Sequence, residues 1–309
     1  MANIKWSYMD HWSMMTPRGL IDPWYSRKCM DRFIKQIVAL GFTGYDSFLY
    51  RLTSMAANFG GGSLKNVLQF MQDRGIEKFV GIWPMLAGTP HDRSTHDQGV
   101  RSVEQSLKLV EGLGVETFIA MPGGQYAQIE PVTDEKIKIM GEYYNRIGEV
   151  TLRHGIKLSC HHEFFCAIHS QEEIEKFYSA TDPKYVFFYC DTAQHVIAGV
   201  DPVKLYMKYH DRCGGLHLKD THYVDHVEDY RIPNDPEMNS STTGRWFWEM
   251  GTREGLVNFP KLMKALKGYN YTGWLTVEHD KADVYEGNYA SSTCIAKWYI
   301  DNVLSPIYQ

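Results

Sequence analysis

The sequence predicts a (β/α)₈ barrel, a closed ring of eight parallel strands wrapped by helices. Three observations predict it. Eight short apolar runs alternate with eight helical patterns. Glycine turns stand where a helix hands over to a strand. Polar and charged side chains follow directly after four successive runs, where the staves of such a barrel open onto one mouth.

Residues 4–8 form the first strand-like run. The helical pattern 25–40 follows and stops at Leu40-Gly41-Phe42, where glycine's tolerance of the left-handed conformation lets the chain turn into run 44–48. Pattern 63–74 ends the same way at Gly75 before run 78–83, pattern 96–113 at Gly114 before run 117–121, and pattern 134–154 at Gly155 before run 156–161. Patterns 171–180, 202–212 and 259–266 separate the runs 185–190, 215–219 and 274–278, and pattern 287–303 closes the series. Gly60-Gly61-Gly62 reads as a flexible strand-to-helix loop, with phosphate contact as its alternative. With 309 residues and no linker or charge block, the chain reads as one domain, 1–309, carrying a long insertion at 221–257 that holds His222, His226, Trp246 and Trp248.

Composition narrows the function. A 44% apolar content supplies a large core, yet no stretch is long and apolar enough to span a bilayer. The start Met1-Ala2-Asn3-Ile4-Lys5-Trp6 lacks the apolar segment of a secretory signal, so a cytoplasmic location is expected. A net charge of -5 disfavours nucleic acid as the main partner. The six cysteines are dispersed without a C-x-x-C pair, which fits reduced, mostly buried residues. Twenty Tyr and eight Trp leave aromatics to spare for a cavity that takes a ring-shaped ligand. No G-x-G-x-x-G, G-K-[ST] or G-x-S-x-G is present, so dinucleotide, nucleoside triphosphate and hydrolase-elbow chemistry are not indicated.

The chemistry concentrates in His161-His162-Glu163, Asp191, His217-Leu218-Lys219-Asp220 and Glu278-His279-Asp280. Strand alternation puts Ser159, His161 and Glu163 on one face. Asp191 and Glu278 close strands that should be buried on both faces, where a carboxylate is costly without a compensating cation. Each alone reads more readily as a helix cap or ion-pair partner. Together Glu163, Asp191, His217 and Glu278 form a metal-ligand set of three hard oxygen groups and one nitrogen, which suits Mn²⁺ or Mg²⁺ better than a structural zinc. His161 is expected to act as general base, His195 to bind substrate or assist proton transfer, and Lys219 to stabilise an oxyanion. Asp10, His11, Asp46 and Trp83 close the first three strands as expected substrate contacts. His279 joins them and, with Asp280, stands behind Glu278.

These motifs resemble the xylose-isomerase-like barrels of the sugar (phosphate) isomerase/epimerase superfamily over nearly the whole chain. Cys190-Asp191-Thr192-Ala193-Gln194-His195, the run Ala198-Gly199-Val200-Asp201-Pro202, His217-Leu218-Lys219-Asp220, Asn258-Phe259-Pro260 and Gly273-Trp274-Leu275-Thr276-Val277-Glu278 carry the resemblance. It implies that Glu163, Asp191, His217 and Glu278 hold a divalent ion, Mn²⁺ first, with Mg²⁺ or Co²⁺ as alternatives. The His-x-Glu arrangement, the opening Trp6-Ser7-Tyr8-Met9-Asp10-His11-Trp12 and the long insertion look most like the α subunit of C-glycoside deglycosidases. That likeness implies cleavage of 3-oxo-C-glucosides of aromatic aglycones: His161 takes the C2 proton, an enediolate forms, and the aglycone leaves by β-elimination. It also implies a small β subunit, for which 221–257 is the expected docking surface. The alternative is a sugar isomerase, 3-epimerase or inosose dehydratase using the same ion. An endonuclease-IV-like nuclease would need more metal-binding groups and a basic face, and a non-catalytic binding subunit would hold no metal.

Overall fold

Each apolar run becomes one stave of a closed parallel barrel. The computed structural model describes residues 4–10, 14–16, 19–21, 26–123, 132–222, 247–252, 255–280 and 289–309. The staves are β1 (Ile4–Met9), β2 (Gly44–Phe48), β3 (Lys78–Trp83), β4 (Thr117–Ala120), β5 (Lys157–His161), β6 (Val186–Asp191), β7 (Cys213–Leu218) and β8 (Gly273–Val277). They pair in the order β1-β8-β7-β6-β5-β4-β3-β2, and the ring closes between β1 and β2.

Around them run α1 (Arg27–Ala39), α2 (Leu49–Phe59), α3 (Leu64–Gln72), α4 (His96–Val110), α5 (Asp134–Arg153), α6 (Gln171–Ser179), α7 (Thr192–Ile197), α8 (Pro202–Tyr209), α9 (Phe259–Gly268) and α10 (Tyr289–Tyr299). Local chemistry sets several starts. Thr133, Ser170, Asp201 and Asn258 each accept a hydrogen bond from the first turn of the following helix. The expected glycine turns take left-handed φ of 87° at Gly41, 103° at Gly75, 69° at Gly114 and 73° at Gly155. Gly60-Gly61-Gly62 departs from expectation: it joins α2 to α3 and is not a strand-to-helix loop. No helix among the described residues is long and apolar enough to cross a membrane, and all six cysteines are unpaired thiols.

Alternation along the staves divides the molecule into two layers. Leu158 and Cys160, Phe188 and Cys190, Leu216 and Leu218, and Leu275 and Val277 join the apolar core beneath the helices. The residues between them fill the barrel interior, and many are polar: Ser159, His161, Tyr189, Asp191, His217 and Thr276. The main core therefore lies outside the ring of strands, and the ring itself encloses hydrogen-bonding groups.

Two short antiparallel pairs decorate this plan. Met14–Thr16 pairs with Gly19–Ile21 after β1. Asp220–Thr221 pairs with Phe247–Trp248, so the two ends of the 221–257 excursion are tied together beside β7. His222 stacks on Trp248 there, with ring centroids 4.1 Å apart. His226 and Trp246 lie outside the described residues.

Candidate metal centre

The carboxyl ends of β5, β6, β7 and β8 bring His161, Asp191, His217 and Glu278 together, and one ligand atom from each lies within 4.8 Å of all the others. His161 Nε2 is 3.1 Å from Asp191 Oδ2. His217 Nδ1 is 3.0 Å from Glu278 Oε2 and 3.9 Å from Asp191 Oδ2. All four side chains are buried. Asp191 does two jobs: Oδ1 accepts the N–H of Gln194 at 2.9 Å and caps α7, while Oδ2 faces the group. A cap and a ligand are compatible because the two oxygens diverge.

Of the two candidates at the end of β5, the tight group holds His161, with Glu163 beside it. Glu163, expected among the four, lies beyond the end of β5 at Cys166's turn; His161 takes the place in the group. Oε1 of Glu163 stands 3.6 Å from His161 Nδ1, and Oε2 accepts from Gln194 Nε2 at 3.3 Å. Alternation still sets Glu163 beside His161, with His162 turned outward to Tyr178, and the chain turns only from Glu163 onward.

Lys219 is buried and sets its ammonium 3.3 Å from Asp191 Oδ2, 3.0 Å from Glu278 Oε2 and against Asp280 Oδ2, over the ring of Phe247. Its backbone is held by Thr192, whose hydroxyl accepts from Lys219 N–H at 3.1 Å and donates to the Lys219 carbonyl at 2.7 Å. Trp83 places its ring edge on His161 at 4.9 Å between centroids and stacks on Phe48 at 5.6 Å, giving the mouth an aromatic wall.

Other expected site residues face elsewhere. Asp10 accepts hydrogen bonds from Tyr45, Ser47 and Arg51, tying β1 to β2. Asp46 points down into the barrel beneath His217, away from the mouth. His195 lies one helical turn past Asp191 and stacks on Phe188, a residue of the outer core, at 5.8 Å. His279 meets the Tyr8 hydroxyl at 2.9 Å, on the helix side of β8, as alternation from Glu278 requires. His11 lies outside the described residues. Phe48 and Tyr189 are not among the residues expected from sequence, and Thr192 and Gln194 appear there only within the motif 190–195. Tyr189 had a signal, two residues before Asp191 on the same face.

Burial and charge compete at each group. Burial would drive protons off His217, yet the carboxylates of Glu278 and Asp46 outweigh it and push the imidazole up to about 10. His161 is pulled down by burial, against the opposing pull of Asp191. Asp191 is held below its ordinary value because Lys219 and His161 outweigh its burial. His195 is drawn down to about 4 by burial, which keeps it neutral.

The residues fit a divalent cation. Nδ1 of His217 and Nδ1 of His161 are buried without a hydrogen-bond partner, although carboxylates stand close by. Asp46, Glu163, Asp191, Glu278 and Asp280 outnumber the ammonium of Lys219 among the described residues of this region. The two imidazole and two carboxylate donors make a set typical of first-row metal ions.

Fold and site together define a parallel α/β barrel with a candidate divalent-cation centre at its carboxyl mouth. The chain belongs to the xylose isomerase-like TIM barrel family, whose profile matches residues 34–293. It is 27% identical over 205 residues to an inosose dehydratase of Bacillus velezensis, a match covering 66% of this chain and 64% of that one, so less than two thirds of the relative's length is spanned. Among solved structures it is similar to a sugar phosphate isomerase/epimerase from Parabacteroides distasonis, with a TM-score of 0.70 at 18% identity over 100% of this chain and 96% of the other. It is also similar to an IolI protein carrying a bound zinc atom, with a TM-score of 0.72 at 14% identity over 99% of each chain. These names match the dehydratase or isomerase/epimerase alternative better than C-glycoside cleavage.

Proposed function

We propose that this chain is a cation-assisted enzyme acting on a ketone-bearing polyhydroxylated ring, a keto-cyclitol or keto-sugar, and that it removes the proton beside the ketone and expels the β-hydroxyl as water. The observation that carries the reading is the convergence of His161, Asp191, His217 and Glu278 within 4.8 Å at the barrel mouth. A divalent ion bound there would act as a Lewis acid on the carbonyl oxygen and its neighbouring hydroxyl. The two-nitrogen, two-oxygen donor set favours Mn²⁺, Co²⁺ or Zn²⁺ over Mg²⁺.

The chain's own groups have separable tasks. Glu163 stands at the edge of the group, oriented by Gln194, takes the proton from the carbon beside the ketone and returns it to the departing hydroxyl, which leaves as water. Lys219, ion-paired with Asp191, Glu278 and Asp280, offsets the negative charge that builds on the substrate oxygens. The Phe48–Trp83 wall receives the C–H face of the ring and excludes water on that side.

That wall also favours a second reading, in which the leaving group is the aromatic carbon of a 3-oxo-C-glucoside, with a small partner subunit completing the site. The first step is the same, so the substrate decides. Purified protein is stripped with a chelator, reloaded with Mn²⁺ or Zn²⁺, and given an inosose-type keto-cyclitol, free ketohexoses and a 3-oxo-C-glucoside in parallel. The expected outcome is ion-dependent loss of water from the keto-cyclitol. Full turnover by the stripped protein would reject the reading, and consumption of the C-glucoside alone would select the second.

A further inference from the structure

We infer that Asp46 is a positioning residue that orients His217 for the cation, its carboxylate facing Nε2 of the ring so that Nδ1 is left turned toward Glu278 and Asp191. The inference rests on the cation reading given above.

Asp46 is fully buried inside the barrel. Three hydroxyls from three different strands fix it: Ser7 of β1 donates to Oδ1 at 2.7 Å, while Thr276 of β8 and Tyr189 of β6 donate to Oδ2 at 3.1 and 3.2 Å. Strand register sets Ser7, Thr276 and His217 abreast, with Asp46 two residues further along β2, opposite Met9. Gly81 of β3 leaves the space, because a Cβ there would stand 2.5 Å from Asp46 Oδ2. The position is therefore built for a carboxylate.

His217 Nε2 lies 3.5 Å from Oδ2, and His217 is the sole ion-pair partner of Asp46 among the described residues. A buried carboxylate with only hydroxyl donors is expensive unless positive charge lies near it. A proton on Nε2 facing Asp46 leaves the lone pair on Nδ1, the nitrogen 3.0 Å from Glu278. Carboxylate–imidazole–metal arrangements use this device to fix the tautomer and raise the basicity of the ligand. A purely structural reading, in which Asp46 merely knots β1, β6 and β8 together, would leave the folded protein's cation affinity untouched.

The test measures Mn²⁺ and Zn²⁺ dissociation constants by competition with a chromophoric chelator, alongside far-ultraviolet dichroism and melting curves. For Asp46→Asn the expected result is a dissociation constant raised about 10- to 100-fold at one ion per chain, with the fold retained. Should that variant fail to fold, Thr276→Val and Tyr189→Phe each remove one donor to Asp46 and are expected to raise the constant by roughly 2- to 10-fold. A folded Asp46→Asn protein binding within about two-fold of wild type overturns the inference, as do unchanged constants in both hydroxyl variants. If wild type itself binds neither ion, the cation reading falls and this inference with it. An unchanged Asp46→Asn beside a tight wild type overturns the inference alone.

Discussion

His161 and Glu163 are two residues apart, and extended alternation would send both side chains into the mouth. β5 ends at His161, which groups with Asp191, His217 and Glu278, while Glu163 stands beside it with Oε1 3.6 Å from His161 Nδ1. This difference separates the two assignments experimentally. If His161 is a ligand, His161→Ala weakens ion binding by about 10-fold or more, the loss expected when a site of few ligands is disturbed. Glu163→Gln then keeps the ion and lowers kcat by roughly 10²- to 10⁴-fold, as expected for a lost base. Equilibrium dialysis against Mn²⁺ with steady-state kinetics checks both, and the reverse pattern restores the sequence-based roles. The residue types of the centre were legible because charged groups after apolar runs are costly. How close His161 would come to the other three was not, because it depends on where the strand stops.

Among the elements, all eight staves lie within three residues of their expected bounds, since short apolar runs between glycine turns carry a strong signal. Two of the ten helices named above have no counterpart in the predicted patterns, for identifiable reasons. α2 starts directly after β2 with Phe48 as an N-cap that makes no side-chain bond, so no turn residue announces it. α7 is six residues long and is capped by Asp191, whose carboxylate had been given to the metal. The 221–257 excursion lacked periodicity, yet its neck is ordered by Asp220, whose Oδ1 accepts N–H groups from Thr221 and Val257 at 2.9 and 3.0 Å. Burial pushes the Asp220 carboxyl up to about 6, against those backbone donors. Its folded value thus exceeds its ordinary 3.8, so its contribution to stability is present in full below about 3.8 and is lost as pH rises through about 6. Asp220→Asn stays neutral and removes that slope. Urea denaturation is expected to show wild type losing on the order of 1–2 kcal/mol more than the variant between pH 4 and 7. Parallel curves would mean that the carboxyl is already ionised throughout.

At the scale of the whole molecule, the barrel encloses more acid than base. The apolar core lies between strands and helices, so the interior carboxylates cannot reach solvent by a simple side-chain rotation. Lys219 is their internal counter-charge, touching Asp191, Glu278 and Asp280 at once. Removing one partner of a buried ion group leaves the others uncompensated, typically at a cost of about 3–5 kcal/mol. Lys219→Met keeps the length and apolar stem while deleting the charge, so the stripped variant should melt well below stripped wild type. A bound divalent ion supplies the missing positive charge and stabilises by mass action, by about 2.7 kcal/mol at a hundred times the dissociation constant. The two effects compound, so the rise in Tm on loading should be larger in Lys219→Met than in wild type, with each kcal/mol equivalent to roughly 2–4 °C in a large domain. Calorimetric scans of stripped and loaded protein measure the difference. Equal rises would show that Lys219 does not shield these carboxylates, and its place would then be explained by substrate charge alone.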